Sequence, residues 1–204
     1  MTRLLCFLTL VFVVGASALD AKEPSQLEKG FESIFDGKSF KGWEGNMKWF
    51  RIEDGAIIAG SHRQTIPNNE FLCTTKTYGD FELRLQARLI GKAYRNAGIQ
   101  FRSKRIPNHH EVIGYQCDMG VMGENNIWGW LYDESRRRKF LVEAPQKPVI
   151  DHFRKDDWND VVIRCEGKQI QIWINGISTV KYSEAVSYTH LRAHETSLHL
   201  VCRL

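Results

Sequence analysis

The sequence predicts an all-β chain: a sandwich of two antiparallel sheets, jelly-roll in type, around one core. Three observations predict it. Phe81-Glu82-Leu83-Arg84-Leu85-Gln86-Ala87-Arg88-Leu89 alternates apolar and polar residues strictly, the period of a strand with one buried and one wet face. From Phe31 onward, short runs of Val, Ile, Phe, Trp and Tyr are separated by Gly, Asn, Asp and Pro, with almost no helical period. Asn175-Gly176 closes one such run with a strong hairpin signal. The 204 residues suffice for one domain with a sizeable core.

The elements follow in order. Met1-Thr2-Arg3 supplies a positive charge, Leu4 to Val14 is almost unbroken apolar, and Ala16 and Ala18 stand in an A-x-A arrangement. Residues 1–18 therefore read as a Sec-type signal peptide, too short to span a bilayer stably, and the mature chain is expected to be secreted or periplasmic with no membrane span. Residues 19–30 read as a polar leader, and 31–185 as the domain. Asn96 to Arg102 alternates, residues 103–110 form a loop, and Glu111 to Asp118 alternates again. Ile127 to Glu134 carries Trp128, Trp130, Tyr132 and Glu134 at one parity. Ser135 to Val142 is the one stretch with room for a short helix. Val161 to Glu166, Gly167-Lys168 and Ile170 to Ile174 make the final strands.

The formal net charge is +4, with basic and acidic residues interspersed. The run Arg136-Arg137-Arg138 reads as a solvated turn, so no nucleic-acid partner is expected. Of five cysteines, Cys6 leaves with the signal, and Cys73, Cys117, Cys165 and Cys202 are too widely spaced for a disulfide scaffold. They read as buried free thiols.

A hairpin that pairs Arg102 with Val112 sets Gly98 opposite Gln116 and aligns Gln100, Arg102, Gln116 and Asp118 on one face. Amides, an arginine and a carboxylate do not make a core face. They make a solvated surface or a binding groove, and the glycines favour a groove, because they let a ligand approach the backbone. Such a groove suits sugars. Trp128, Trp130 and Tyr132 could stack on pyranose faces, or could fill the core, while amides and carboxylates bind hydroxyls. Glycosidases of the ordinary kind need two carboxylates flanking the bond. Glu111 and Asp118 face opposite sides of a regular strand, as do the adjacent Asp133 and Glu134, so that chemistry is weakly supported.

Four segments carry a family resemblance. Phe31-Glu-Ser-Ile-Phe-Asp-Gly-Lys-Ser-Phe-Lys-Gly-Trp43, Asn96-Ala-Gly-Ile-Gln-Phe-Arg-Ser103, Glu111-Val-Ile-Gly-Tyr-Gln-Cys-Asp118 and Trp128-Gly-Trp-Leu-Tyr-Asp-Glu-Ser-Arg136 resemble, in this order, the 3-keto-disaccharide hydrolase family. Trp158-Asn159 and the Ile170 to Gly176 hairpin are similar too. The resemblance implies a concanavalin A-like jelly roll acting on sugars oxidised at C3. A ketone at C3 acidifies the C2 proton, so one base can remove it and the C1 substituent leaves by elimination; hydration of the resulting glucal gives net hydrolysis. This needs a base, a donor to the enolate and an acid for the leaving oxygen. The expected roles are Asp118 as base or metal ligand, Arg102 or Gln116 as enolate donor, and Tyr132 or Glu134 as acid. Gln100, Trp128, Trp130, Arg136 and Glu111 are expected to bind substrate. No cofactor is assigned, and participation of a divalent metal is left open. A non-catalytic carbohydrate-binding module and a conventional glycoside hydrolase are the competing classes.

The resemblance ends near Ala185. Members of the family continue with closing strands, whereas Val186 to Leu204 has neither strand period nor turn signals and resembles a translated sequencing-adaptor tail. It holds His190, His194 and His199, which are not expected to form a metal site. The closing strands of the sandwich are expected to be missing, leaving open sheet edges.

Overall fold

A computed structural model describes residues 2–6 as backbone, and residues 28–61, 63–91 and 96–185 with side chains. The strands are β1 (Thr2–Cys6), β2 (Phe31–Ser33), β3 (Trp43–Glu44), β4 (Phe50–Glu53), β5 (Ala56–Ala59), β6 (Cys73–Thr74) and β7 (Phe81–Ala87). They continue with β8 (Asn96–Arg105), β9 (Val112–Met122), β10 (Asn125–Asn126), β11 (Leu131–Glu134), β12 (Phe140–Val142), β13 (Asn159–Glu166), β14 (Gln169–Ile174) and β15 (Ile177–Ser183). One helix, α1 (Gln146–His152), stands between β12 and β13. The chain is an all-β sandwich of the jelly-roll kind, as its sequence pattern predicts.

One sheet has the order β15-β14-β13-β7-β1-β2. In the other, β9 lies between β8 and β11, β12 follows β11, and β10 pairs the end of β9. Alternation along the strands makes the core. Leu83, Leu85, Val161, Ile163, Ile170 and Ile172 of the first sheet pack with Ala97, Ile99, Phe101, Cys117, Met119 and Leu131 of the second in one buried cluster. Cys73, Cys117 and Cys165 are buried free thiols, and burial pushes the Cys165 thiol up to about 12.

On β7 the alternation has a local twist. Glu82 sits on the outer face yet is buried, because Arg84 and Arg164 close over it: Arg84 Nε donates to Oε1 at 2.7 Å, and Arg164 Nε donates to Oε2 at 2.7 Å.

Strand β1 is parallel to both neighbours, with Thr2 opposite Phe81 and Arg3 opposite Phe31, whereas β7, β13, β14 and β15 pair antiparallel. It separates β2 from β7 by one strand width. The rest of the signal-like segment and most of the polar leader, as well as the tail from 186, lie outside the described residues.

Three sequence expectations are corrected. Ser135 to Val142 is not a helix: it turns after β11 and returns as β12. The helix is α1 instead, where Pro148 falls in the first turn and its missing N–H leaves no helical bond unmade. Lastly, Arg136 and Arg137 are not a solvated turn. Arg136 Nε donates to Asp133 Oδ1 at 2.8 Å, Arg137 Nε also donates to Asp133, and Arg137 Nη2 donates to Glu184 Oε2 at 2.7 Å.

Candidate functional site

The outer face of the β8-β9-β11 sheet carries a row of polar side chains. Gln100 lies opposite Gln116, Gly98 opposite Asp118, Tyr132 opposite Gln116 and Glu134 opposite Gly114. The pairing is offset by two residues from the register that places Arg102 against Val112. An offset of two keeps every side chain on its face, so Gln100, Gln116 and Asp118 do share one.

Arg102 does not join them. Between Phe101–Tyr115 and Lys104–Ile113 the ladder sets two residues, Arg102 and Ser103, against Gly114 alone. This is a β-bulge, with Arg102 in the left-handed region at φ 47°. The bulge turns Arg102 towards the first sheet, where Nη2 donates to Asp80 Oδ1 at 3.1 Å; Asp80 Oδ1 also accepts the Gly167 N–H at 2.9 Å. Ser103 takes its place on the outer face.

The result is a directional chain of hydrogen bonds. Ser103 Oγ donates to Gln100 Oε1 at 2.9 Å, Gln100 Nε2 donates to Gln116 Oε1 at 2.8 Å, and Gln116 Nε2 donates to Asp118 Oδ1. The direction is fixed at the end: an ionised carboxylate only accepts, so the amide of Gln116 must present its N–H, and the others follow in turn. All four residues are buried.

Both glycines expected to admit a ligand instead admit this chain. A Cβ on Gly98 would overlap the Gln116 side chain, and one on Gly114, at φ 155°, would overlap Ser103.

Aromatic residues border the row. Ile127 to Trp130 is a tight turn closed by Trp130 N–H to Ile127 O at 3.1 Å, with Gly129 at φ 77°. Gly129 N–H donates to Asp118 O and Asp118 N–H donates to Trp130 O, both at 2.9 Å, so Gly129 and Trp130 together face Asp118 in a second bulge. Trp130 and Tyr132 both meet the ring of Phe140 edge-on, with centroids 4.9 and 5.1 Å away. Tyr132 and Phe140 are half-buried and form the rim where the row meets solvent. The indole Nε1 of Trp130 is buried without a hydrogen-bond partner among the described residues.

The other expected site residues lie elsewhere. Trp128 is buried in the core with its ring 5.1 Å from that of Phe153, which leaves it no face for a sugar. Arg136 lies over the Tyr115 ring at 4.8 Å, within the ionic cluster between the sheets. Glu111 accepts from Asn69 Nδ2 at 2.7 Å, ahead of β9. Glu134 is buried on the outer face, one position beyond the strand residue that feeds the ionic cluster. Among the described residues, no group of three or more His, Cys, Asp or Glu side chains is arranged to hold a metal ion. His109 and His110 stack on one another at 4.4 Å, and His110 is 3.6 Å from Glu111.

Sequence reasoning missed Ser103 and the buried Nε1 of Trp130. A polar residue three positions after Gln100 is the available signal for Ser103, but it counts only once the bulge is known.

Solved structures share the fold. A candidate glycosyl hydrolase of Parabacteroides distasonis ATCC 8503 is similar over 83% of this chain and 85% of its own, at 20% identity and a TM-score of 0.55. The carbohydrate binding module CBM66 of Bacillus subtilis is similar over 80% of this chain and 87% of its own, at 11% identity and a TM-score of 0.54. No curated protein matches the chain. The model of one family matches residues 30–200, a range that begins at the Phe31 segment and runs past Ala185. With the polar row, its aromatic rim and the sandwich that holds them, this match assigns the chain to the family of 3-keto-alpha-glucoside-1,2-lyase-like domains.

Proposed function

We propose that this chain cleaves the glycosidic bond of 3-keto-glucosides by elimination followed by hydration. The observation that carries the reading is the hydrogen-bonded row ending on Asp118 beside the Trp130–Tyr132–Phe140 rim, in a chain of this family. The Asp118 carboxylate takes the C2 proton, and the electron pair passes into the C2–C3 bond and onto the C3 oxygen as an enolate. The enolate then re-forms the ketone as the C1–O bond breaks, and Tyr132 or Glu134 protonates the departing oxygen. Water adds across the 2-hydroxy-3-keto-glucal, with the hydroxyl at C1 and a proton at C2. Ser103, Gln100 and Gln116 position the carboxylate by holding Oδ1 of Asp118 in place.

The signal-like segment 1–18 supports a secreted or periplasmic location. Its removal would also withdraw β1 from between β2 and β7.

The test is incubation of the purified protein with a 3-keto-disaccharide, followed by NMR, with circular dichroism as the folding check. Aglycone release with a transient glucal signal is expected. The fold is shared with a carbohydrate binding module, so binding without turnover by folded protein would favour a binding module instead, and turnover of unoxidised glycan would favour a conventional hydrolase.

A further inference from the structure

Trp130 is 3% exposed, and its Nε1 is a buried donor with no partner among the described residues. An indole N–H can only donate, and a buried donor left unpaired is costly, so native proteins pair nearly all of them. This one belongs to the residue that faces Asp118 across the ladder, with Asp118 N–H bonded to Trp130 O at 2.9 Å. Phe140 meets the indole at an interplanar angle of 86° and a centroid distance of 4.9 Å. A ring buried to this degree and packed edge-to-face has no free face on which a sugar could stack. What it offers is its N–H.

We propose that Trp130 Nε1 is the hydrogen-bond donor to the C3 oxygen of the substrate, ketone and then enolate. The role rests on the elimination reading above, and it is the role expected of Arg102, which the bulge turns away towards Asp80. The base and the donor then act on adjacent carbons. Asp118 takes the proton from C2 while Trp130 receives the charge that develops on the C3 oxygen. A neutral, fixed donor suits an oxygen whose charge grows through the reaction, because it binds the enolate more strongly than the ketone. The acceptor class follows: a carbonyl or anionic oxygen in preference to the hydroxyl of the unoxidised sugar, which must orient its own proton elsewhere.

The experiment uses indole-¹⁵N-labelled protein, with the Trp130 signal assigned by its loss in Trp130→Phe. Titration with a 3-keto-disaccharide should shift the Trp130 Nε1–H resonance downfield, and the unoxidised parent disaccharide should shift it less. Trp130→Phe keeps an aromatic ring and removes the donor. Its kcat should fall by about 10²–10³-fold with KM little changed, the loss expected for an oxyanion donor. A 3-keto-disaccharide that is turned over while the Trp130 signal stays fixed, or a folded Trp130→Phe with unaltered kcat, would overturn the assignment and leave the elimination reading standing; a buried water would then be the partner of Nε1. A shifted Trp130 signal without turnover would overturn the reaction and retain the donor contact. Should Trp130→Phe fail to fold, the titration of the unmutated protein decides alone, and neither shift nor turnover would overturn both.

Discussion

Strand β11 feeds two polar clusters that lie back to back across one sheet. Tyr132 and Glu134 point outward beside Gln116 and Gly114, while Asp133, between them, points inward opposite Tyr115. The inward cluster is ionic. Asp133, 0% exposed, accepts from Arg136 and Arg137, and Glu184, 5% exposed, accepts from Arg137 Nη2 at 2.7 Å, from Tyr182 Oη at 3.2 Å and from Tyr115. Two guanidinium groups face two carboxylates, and the chain segment after β15 is tied to the opposite sheet. The outward cluster is built differently: a one-way relay of neutral groups ends on one carboxylate, and an indole donor beside it has no partner among the described residues. A network whose charges match within the protein holds a fold together. The row that ends on a carboxylate beside a buried indole N–H is the one we propose a ligand completes.

The difference can be broken from either side. Asp118→Asn, a near-isosteric change, is expected to lower kcat by about 10²–10⁴-fold, the contribution of a general base, with an unchanged melting temperature. Turnover of the 3-keto-disaccharide and thermal denaturation measured together would check it. Asp133→Ala, one residue from the outer face, should do the reverse. It removes the carboxylate that two half-buried guanidinium groups share, leaving Arg137 to Glu184, and should cost about 3–5 kcal/mol of stability, read by urea denaturation, with near-normal kcat for the folded fraction. Gly129→Ala tests the bulge that faces Asp118. Its Cβ would stand 2.6 Å from Thr179 Oγ1 at φ 77°, and the expected loss is about 1–3 kcal/mol in the same denaturation assay.

The inward cluster also predicts a pH dependence. Burial pushes the Glu184 carboxyl up, but hydrogen bonds from Arg137 and Tyr115 and the Arg137 charge outweigh it and hold the group below its ordinary value. The same balance, with Arg164 and Arg84 as donors, lowers Glu82. A carboxyl lowered in the folded state binds fewer protons there than in the unfolded chain. Its stabilisation is therefore full above the unfolded value of about 4.3 and fades as pH falls through the lowered folded value. Glu184→Gln should flatten this acid limb in denaturation curves taken from pH 6 to pH 3 (about the range set by those values). The smallest effect expected is that of Ser103→Ala, which removes the head of the relay. A loss of about 1 kcal/mol and a modest fall in kcat should follow, since Gln100 and Gln116 still orient one another.

Much of this was legible in the sequence, and the failures have physical causes. Parity along β7, β8, β9 and β11 placed Gln100, Gln116, Asp118, Tyr132 and Glu134 on one face, because a strand's period survives an error of two in register. The bulge at Arg102 and Ser103 was not legible. The left-handed residue is an arginine, so no glycine marks it; the glycine that makes room, Gly114, sits on the partner strand. The three arginines after β11 read as solvated because Glu184, which binds two of them, is supplied by the far end of the domain. Trp128 and Trp130 share a parity and are both buried in the core cluster, yet the turn at Gly129 packs one against Phe153 and the other against Phe140, beside Asp118.

Elimination and direct hydrolysis give the same products but treat the C2 hydrogen differently. The most direct test is turnover of a 3-keto-disaccharide in D₂O, with deuterium at C2 of the released 3-keto-sugar followed by NMR. Incorporation in step with aglycone release, with both lost in Asp118→Asn, is the predicted result. Aglycone release with the original hydrogen retained at C2 would contradict proton abstraction by Asp118, and the elimination mechanism would fall with it.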